Sequence, residues 1–309
     1  MSDQIIFHHY PESPVSEKVR VVFGIKDLAW RSVQIPRVPP RPLLTPMTGG
    51  YRRTPVMQIG ADIFCDSNCM LRELQRRHPE PTLYPGGADG MAWAVTRWIA
   101  TGPFCDTIAI VLSNAAAEME DELAADRGRL YFGANYDYEG MAARTPEFAA
   151  QLRGQLQWID ERLAGGRRYM LGDDPGLPDA ACYYLVWFIR GRWRDGPAFL
   201  KQFTHLIEWE NRVANLGHGR PSDMSSEEAL DIARAAEPAT QPQPDPDDPL
   251  GLAPGMMVHV QPDAQGDDPV VEGEIVAVSA HHVAIRRQDT DIGDVCIHFP
   301  RVGFCVRKL

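Results

Sequence analysis

The sequence is poor in cysteine, in positive charge and in long apolar runs. Its 309 residues include 6 cysteines with no metal-site spacing, which suggests reduced thiols rather than a disulfide framework. Lysine and arginine number 31 against 42 acidic residues, and the net charge of −11 argues against a nucleic-acid partner. No apolar run approaches the ~20 residues that span a bilayer, and no N-terminal signal pattern is visible. We therefore expect a soluble, cytoplasmic protein without a membrane partner.

Enough apolar residues remain to bury a sizeable core. Hydrophobic residues make up 44% of the chain, and its length predicts two or three domains. Periodicity and composition predict an α/β domain, an all-helical domain, a linker rich in Pro and Asp, and a small β domain, with bounds at 1–85, 86–236, 237–249 and 250–309.

Two short motifs in the first domain are the most specific features of the chain. Thr54-Pro55-Val56-Met57 places a proline between strand-forming residues, where it removes a hydrogen-bond donor from the ladder. A cis Thr54–Pro55 bond would leave the main chain of Thr54 free to pair with an extended peptide. Asp66-Ser67 stands where a strand ends and a helix begins, and a hydroxyl and free N–H groups there can hold a carboxylate. Together the motifs indicate a site for a small peptide.

The elements around these motifs alternate between strand and helix. In chain order the pattern predicts strand Gln4–His9, helix Ser16–Leu28, strands Val33–Ile35, Pro55–Ile59 and Asp62–Cys65, and helix Ser67–Arg77. This order is that of a thioredoxin-like half-domain.

Helical periodicity dominates the middle of the chain. The predicted helices are Met91–Ala125 with an interruption at Gly102-Pro103, Glu147–Leu163, Pro178–Ile189, Ala198–Asn215 and Ser225–Ala236.

After the linker, short strand-like runs return at regular spacing. They are Met256–Val260, Gly273–Val278, His282–Arg287, Val295–Phe299 and Phe304–Arg307. Such spacing predicts a small all-β barrel, SH3-like first and OB-like second. Mixed charge and the lack of a catalytic cluster favour a docking or dimer-bracing role for it.

At these residues the sequence resembles a known family. Residues 4–85 look like the N-terminal domain of a glutathione S-transferase, and residues 88–236 look like its all-helical, acceptor-binding partner. The C-terminal β domain is a departure, because the family does not ordinarily carry one. The resemblance implies glutathione as co-substrate, a homodimer and an electrophilic, hydrophobic second substrate.

The resemblance also implies a division of roles within the glutathione site. The residue before the cis-proline, here Thr54 before Pro55, pairs with the cysteinyl main chain of glutathione. Asp66 and Ser67 match the pair that holds the γ-glutamyl carboxylate and amine, and Arg53 matches a position that often helps hold the glycyl end.

Thiol activation depends on the loop after the first strand. The thiolate is the nucleophile, and a free thiol has a pKa near ~8.5, so a donor at a helix start must lower it. Ser13 stands where redox relatives have the first cysteine of Cys-Pro-x-Cys and where zeta-like transferases have a serine, so we favour Ser13 as that donor. Tyr10 could supply a phenol instead, as in the tyrosine-type classes.

Two other functions stay open beside the transferase. The protein could bind glutathione without turnover and recruit a partner through its β domain. It could also be a glutathione-dependent thiol reductase that uses Cys65 or Cys69. We expect no metal, because the pairs His8-His9 and His281-His282 each point to opposite faces of a strand.

Overall fold

A ten-stranded sheet lies within one of the two compact units of the chain. The computed structural model describes residues 4–264 and 266–309. The sheet-containing unit is discontinuous and is made of the stretch up to Ser16, Ala29–Leu74 and Pro221–Leu309. The helical unit is made of Glu17–Leu28 and Gln75–Arg220.

The first elements confirm the predicted thioredoxin-like order. They are β1 (Ile6–His9), α1 (Pro14–Ile25), β2 (Ala29–Gln34), α2 (Thr45–Thr48), β3 (Val56–Ile59), β4 (Asp62–Cys65) and α3 (Ser67–Arg77). β4 and α3 have the predicted bounds, whereas β2 begins four residues before the predicted Val33. Trp30 accounts for the longer strand, because it is buried edge-on against Phe7 with ring centroids 5.6 Å apart.

The middle of the chain is helical, as predicted. Its helices are α4 (Asp89–Thr101), α5 (Pro103–Ala115), α6 (Asp121–Phe132), α7 (Tyr138–Ala143), α8 (Thr145–Leu163), α9 (Leu177–Arg192), α10 (Gly196–Leu200) and α11 (Thr204–Ala214). The long predicted helix does divide at Gly102-Pro103, since proline cannot donate the hydrogen bond that would continue it. By length and composition alone, the helical run 89–118 could cross a membrane, but half of its most apolar window is buried in the protein, as in a core helix.

The last elements are mostly strands and include all five of the predicted ones. They are β5 (Arg220–Asp223), α12 (Ser226–Ala235), β6 (Met257–Pro262), β7 (Val271–Val278), β8 (His282–Asp289), β9 (Gly293–Pro300) and β10 (Phe304–Lys308). The all-β prediction is therefore confirmed, while a closed barrel and the exact domain bounds stay predictions.

The C-terminal strands extend the thioredoxin-like sheet. The strand order is β10-β6-β7-β8-β9-β4-β3-β1-β2-β5. Parallel pairing of β9 with β4 joins the two parts and aligns Asp62 with Cys296 and Phe64 with His298. One apolar cluster accordingly contains side chains of both parts, including Ile6 and Val56 from the first strands and Phe299 from β9.

The predicted linker is tied to this junction. Its Ala239 N–H and Thr240 hydroxyl donate to the carboxylate of Asp62 over 2.8 and 2.6 Å. Farther along, the Gln243 N–H donates to the Val276 carbonyl over 3.0 Å. The segment is extended, as expected from its composition, but its main chain is held against both parts of the sheet.

A buried ion pair lies where β4 meets β9. His298 Nε2 donates to Asp62 Oδ1 over 3.0 Å, and His298 Nδ1 is 2.8 Å from Nε2 of His282. The imidazole also stacks on Phe64 at 4.3 Å between ring centroids. A histidinium can donate from both ring nitrogens at once, which suits the carboxylate on one side and a neutral His282 on the other.

The surroundings stabilise the charged forms of this pair. Burial alone would lower the pKa of His298, but Cys296 and Asp62 raise it to about 9. Burial alone would raise the pKa of Asp62, but His298, Thr240 and Ala239 lower it. Burial and the charge of His298 lower the pKa of His282 to about 3, so His282 is the neutral acceptor.

The ion pair predicts a pH-dependent contribution to stability. Because the pKa of folded His298 lies above its ordinary value of 6.5, the stabilisation is complete below pH 6.5 and is lost as the pH rises through about 9. On the acid side, the contribution of Asp62 is lost only as the pH falls through its lowered pKa. We expect His298→Asn to lower the free energy of unfolding at pH 6 by about 3 kcal/mol, and by much less at pH 9.5.

Denaturant unfolding at the two pH values measures this difference. His259→Asn is the matched control, because His259 is part of an exposed pair with Glu272 and should cost little at either pH. An equal loss for His298→Asn at both pH values would show that His298 contributes by packing alone.

Candidate functional site

The predicted site residues lie at one end of the first four strands. β1 and β3 are antiparallel with His8 opposite Val56, and β3 and β4 are antiparallel with Val56 opposite Cys65. The end of β1, the start of β3 and the end of β4 are therefore neighbours. The segments that extend beyond this edge carry Tyr10 and Ser13, Arg53 to Pro55, and Asp66 with Ser67.

Ser13 caps the first helix. Its Oγ accepts the N–H of Ser16 over 3.2 Å, directly before α1 begins at Pro14. Capping leaves the hydroxyl proton available for donation, so this role and thiol binding are compatible. Ser13 is buried, and its own N–H donates to the carbonyl of Tyr10 over 3.2 Å. Tyr10 is partly buried and packs against the apolar cluster of the sheet.

The Thr54–Pro55 peptide is cis, in agreement with the sequence prediction. Thr54 lies just outside β3, and within residues 4–264 and 266–309 its main chain makes no hydrogen bond that would occupy it. Its Oγ1 is also buried without a hydrogen-bond partner. Unsatisfied buried polar groups are costly, so their occurrence at this edge suits a site that a polar ligand completes.

The Asp66-Ser67 pair forms the start of α3. Asp66 has φ +74°, a left-handed conformation that asparagine and aspartate tolerate better than most residues, and its Oδ1 accepts the N–H of Asn68 over 2.7 Å. Ser67 is the first helical residue and is buried. Its N–H belongs to the first turn, where no intrahelical acceptor exists. Asn68 Oδ1 is buried without a partner, which adds a second unsatisfied polar atom to this corner.

Arg53 has a partner that the sequence prediction missed. Its Nε and Nη2 donate to the two carboxylate oxygens of Asp268 over 2.8 and 2.5 Å. The Asp268 side chain is 3% exposed, against 25% for Arg53. The two residues are 215 positions apart, and no local pattern around Asp268 signals the pair.

The pKa of Tyr51 responds to this ion pair and to Asp66. Burial raises the pKa of Tyr51 well above its ordinary value, and the charge of Asp66 raises it further. Asp268 raises the same pKa and Arg53 lowers it, so all three charges act on one phenol. Arg53 directly precedes Thr54, so the Arg53–Asp268 pair lies at the same end of the strands as the cis-proline.

The two cysteines near the site are poor nucleophiles in this environment. Cys65 and Cys69 are buried, and burial raises the pKa of both thiols well above its ordinary value, with a further contribution from Asp66. A thiol with a raised pKa is rarely ionised at neutral pH.

One group of side chains could hold a metal ion. Donor atoms of Asp62, Cys296 and His298 lie within 4.8 Å of one another. The oxygens of Asp62 already accept from His298, Thr240 and Ala239, which matches an ion pair better than a ligand set. The expected absence of a metal stays a prediction.

The fold and the edge geometry define a class of protein. A thioredoxin-like domain with a cis-proline, followed by a helical unit, is the arrangement that the resemblance to glutathione S-transferases implies. Family profiles agree: residues 7–82 match the glutathione S-transferase N-terminal domain, and residues 142–212 match the C-terminal domain.

The chain belongs to the glutathione S-transferase family. It is 32% identical to a GST-like protein from Pseudomonas syringae, with a TM-score of 0.76, over 99% of this chain and 100% of that one. That likeness therefore includes the C-terminal strands. A comparison with curated protein sequences found no match.

More distant structures share the fold of the first two parts. A glutathione S-transferase from Methylobacterium radiotolerans, solved with glutathione sulfonate, is 21% identical with a TM-score of 0.51 over 72% of this chain and 97% of its own. A Tau class enzyme from mango is 14% identical with a TM-score of 0.53 over 76% of this chain and 98% of its own.

Proposed function

We propose that the protein binds glutathione at the edge formed by β1, β3 and β4 and joins its sulfur to an electrophilic, hydrophobic acceptor. The thiol loses its proton, the thiolate attacks the acceptor, and a leaving group such as halide departs. The observation that carries this proposal is the meeting of three local features at one end of the sheet. They are a buried serine hydroxyl at a helix start, an unoccupied main chain before a cis-proline, and a helix N-terminus that opens with a serine. Family membership and the glutathione sulfonate bound by one distant structure support the ligand.

The cysteinyl and γ-glutamyl parts of glutathione each have a chemically suitable partner. The main chain of Thr54 can pair with the cysteinyl residue as an added strand would. The hydroxyl and N–H of Ser67, at the N-terminus of α3, suit the γ-glutamyl carboxylate, since a helix N-terminus favours negative charge. The carboxylate of Asp66 suits the γ-glutamyl amine.

Ser13 is the group that would ionise the thiol. A hydroxyl donor stabilises a thiolate more than a thiol and so lowers the thiol pKa, and the N-terminus of α1 acts in the same direction. Tyr10 remains the alternative donor, because it lies in the same loop and its carbonyl is bonded to Ser13. The acceptor would bind to the helical part, as the family resemblance implies.

The two competing functions have less support. A reductase would need an ionisable cysteine, whereas burial keeps Cys65 and Cys69 protonated. A non-catalytic scaffold would recruit its partner through the C-terminal strands. Deleting residues 238–309 would not separate a scaffold from an enzyme, because it would damage the rest of the sheet. The deletion would expose the shared apolar cluster and break the pairing of β9 with β4. Cytoplasmic location and homodimerisation belong to the proposal as expectations from composition and family.

Ser67→Ala tests the binding part of the proposal. A hydrogen bond from a hydroxyl to a carboxylate contributes about 1.5–3 kcal/mol to the binding free energy. We therefore expect Ser67→Ala to bind glutathione at least about tenfold more weakly. Isothermal titration calorimetry measures the change, with Ser222→Ala on exposed β5 as the matched control. An unchanged dissociation constant would remove Ser67 from the site.

Ser13→Ala tests thiol activation. We expect turnover of glutathione with an aryl halide to fall by roughly 10²-fold, because the thiolate loses its donor, while glutathione affinity changes little. The ultraviolet absorbance of the bound thiolate should then develop at a higher pH. Steady-state kinetics and a pH titration of that absorbance measure both effects.

Ser225→Ala is the control for the capping role. Ser225 also caps a helix, accepting the N–H of Glu228 over 3.1 Å, so its loss should cost similar stability without slowing turnover. If Tyr10→Phe abolishes activity and Ser13→Ala does not, the role passes to Tyr10.

A further inference from the structure

The C-terminal strands support the loop that carries Arg53. Gly49 has φ +61°, and a Cβ at this position would lie 2.8 Å from Cγ1 of Val271 on β7. Tyr51 packs on Phe299 and Phe304, with ring centroids 5.9 and 6.3 Å away. The loop that approaches the glutathione site is thus fitted closely against β7, β9 and β10.

Asp268 reaches Arg53 from the segment that precedes β7. Both guanidinium donors in the pair bind the carboxylate in the bidentate geometry that is typical of strong arginine–carboxylate recognition. A glycyl carboxylate of glutathione would bind such a guanidinium in the same way. The position that matches a family glycyl-binding residue therefore already holds a carboxylate from the chain itself.

Exchange of the two carboxylates would be unfavourable. The Asp268 side chain is 3% exposed, so a departing Arg53 would leave a buried charge without its partner. Breaking a buried pair by removing one partner is strongly destabilising. A ligand carboxylate arriving from water would at best regain the same interaction and would also lose its own hydration.

We propose that Asp268 takes the place of the glycyl carboxylate on Arg53, so that the site accepts γ-glutamyl-cysteinyl peptides whose third residue has no free carboxylate. Such ligands include glutathione esters and amides, and they bind at least as well as glutathione itself. This inference rests on the proposed function, because it assumes that the γ-glutamyl and cysteinyl parts lie against Ser67 and Thr54.

The chain neighbours of the ion pair line a cavity. A cavity of about 230 Å³ is lined by residues that include Pro40, Thr48, Tyr51, Arg52 and Pro269. Arg52 and Pro269 are the chain neighbours of Arg53 and Asp268. A small substituent on the glycine could occupy this cavity, which Arg41 also lines, without an ionic contact to Arg53, since Asp268 already binds that guanidinium.

Calorimetric titration of the full chain with glutathione and with its glycine ethyl ester tests the inference. For the wild type we expect the ratio of the dissociation constants, ester over glutathione, to be at or below one. Asp268→Asn removes the carboxylate that competes with the ligand for Arg53 and should raise this ratio about tenfold. Asp268→Ala should also raise the ratio. It controls for the possibility that the amide introduced by Asp268→Asn still accepts a hydrogen bond from Arg53.

Asp248→Asn is the matched control. Asp248 is another buried aspartate of the same unit, bonded to Arg301 over 2.8 Å, and its substitution should leave the ratio unchanged. Ser67→Ala should weaken both peptides alike, because both carry the γ-glutamyl carboxylate.

Two results would overturn the inference in distinguishable ways. A ratio that neither Asp268→Asn nor Asp268→Ala changes means that Asp268 does not set the preference at the glycyl end, although glutathione binding stands. Failure of the wild type to bind either peptide contradicts the proposed function, and the inference falls with it.

Discussion

Parallel pairing of β9 with β4 is the contact on which the sheet-containing unit depends. Without it, β4 would be an edge strand with unpaired N–H and C=O groups, open to pairing with another chain. The pairing covers that edge and aligns Phe64 with His298 and Asp62 with Cys296. It also brings the shared apolar cluster together, so the C-terminal strands are part of the same core as the thioredoxin-like strands.

The same arrangement links the extra strands to the candidate site. Tyr51 packs on Phe299 and Phe304 and responds to the charges of Asp66 and Asp268. The C-terminal strands therefore contribute to the shape and charge of the region where glutathione is proposed to bind. This role differs from the docking role that their composition suggested, although the two are compatible.

Local signals explain which parts of the fold were predictable. β4 and α3 were predicted with their observed bounds, because a turn at Gly60-Ala61 and an acidic-serine helix start delimit them. Short strand-like runs at regular spacing likewise predicted the C-terminal strands. Such a local pattern shows that a segment forms a strand, but it does not show which strand lies next to it. The pairing of β9 with β4 therefore could not be predicted from it.

The same distinction applies to the site. Ser13, Thr54 and Ser67 were found because each belongs to a short motif with its own backbone chemistry. Asp268 was missed because its role depends on Arg53, which is 215 positions away in the sequence. An aspartate in a Gly-Asp-Asp-Pro stretch is also typical of an ordinary turn. Contacts of this kind follow from the tertiary fold alone.

The discontinuous sheet has a consequence for biosynthesis. Asp62 and His298 are 236 positions apart, and residues of the helical unit are translated between them. During synthesis β4 leaves the ribosome long before β9 exists, and its edge remains uncovered while the helices form. Pairing across such a separation is intrinsically slow, so the edge of β4 is exposed to aggregation until translation is nearly complete.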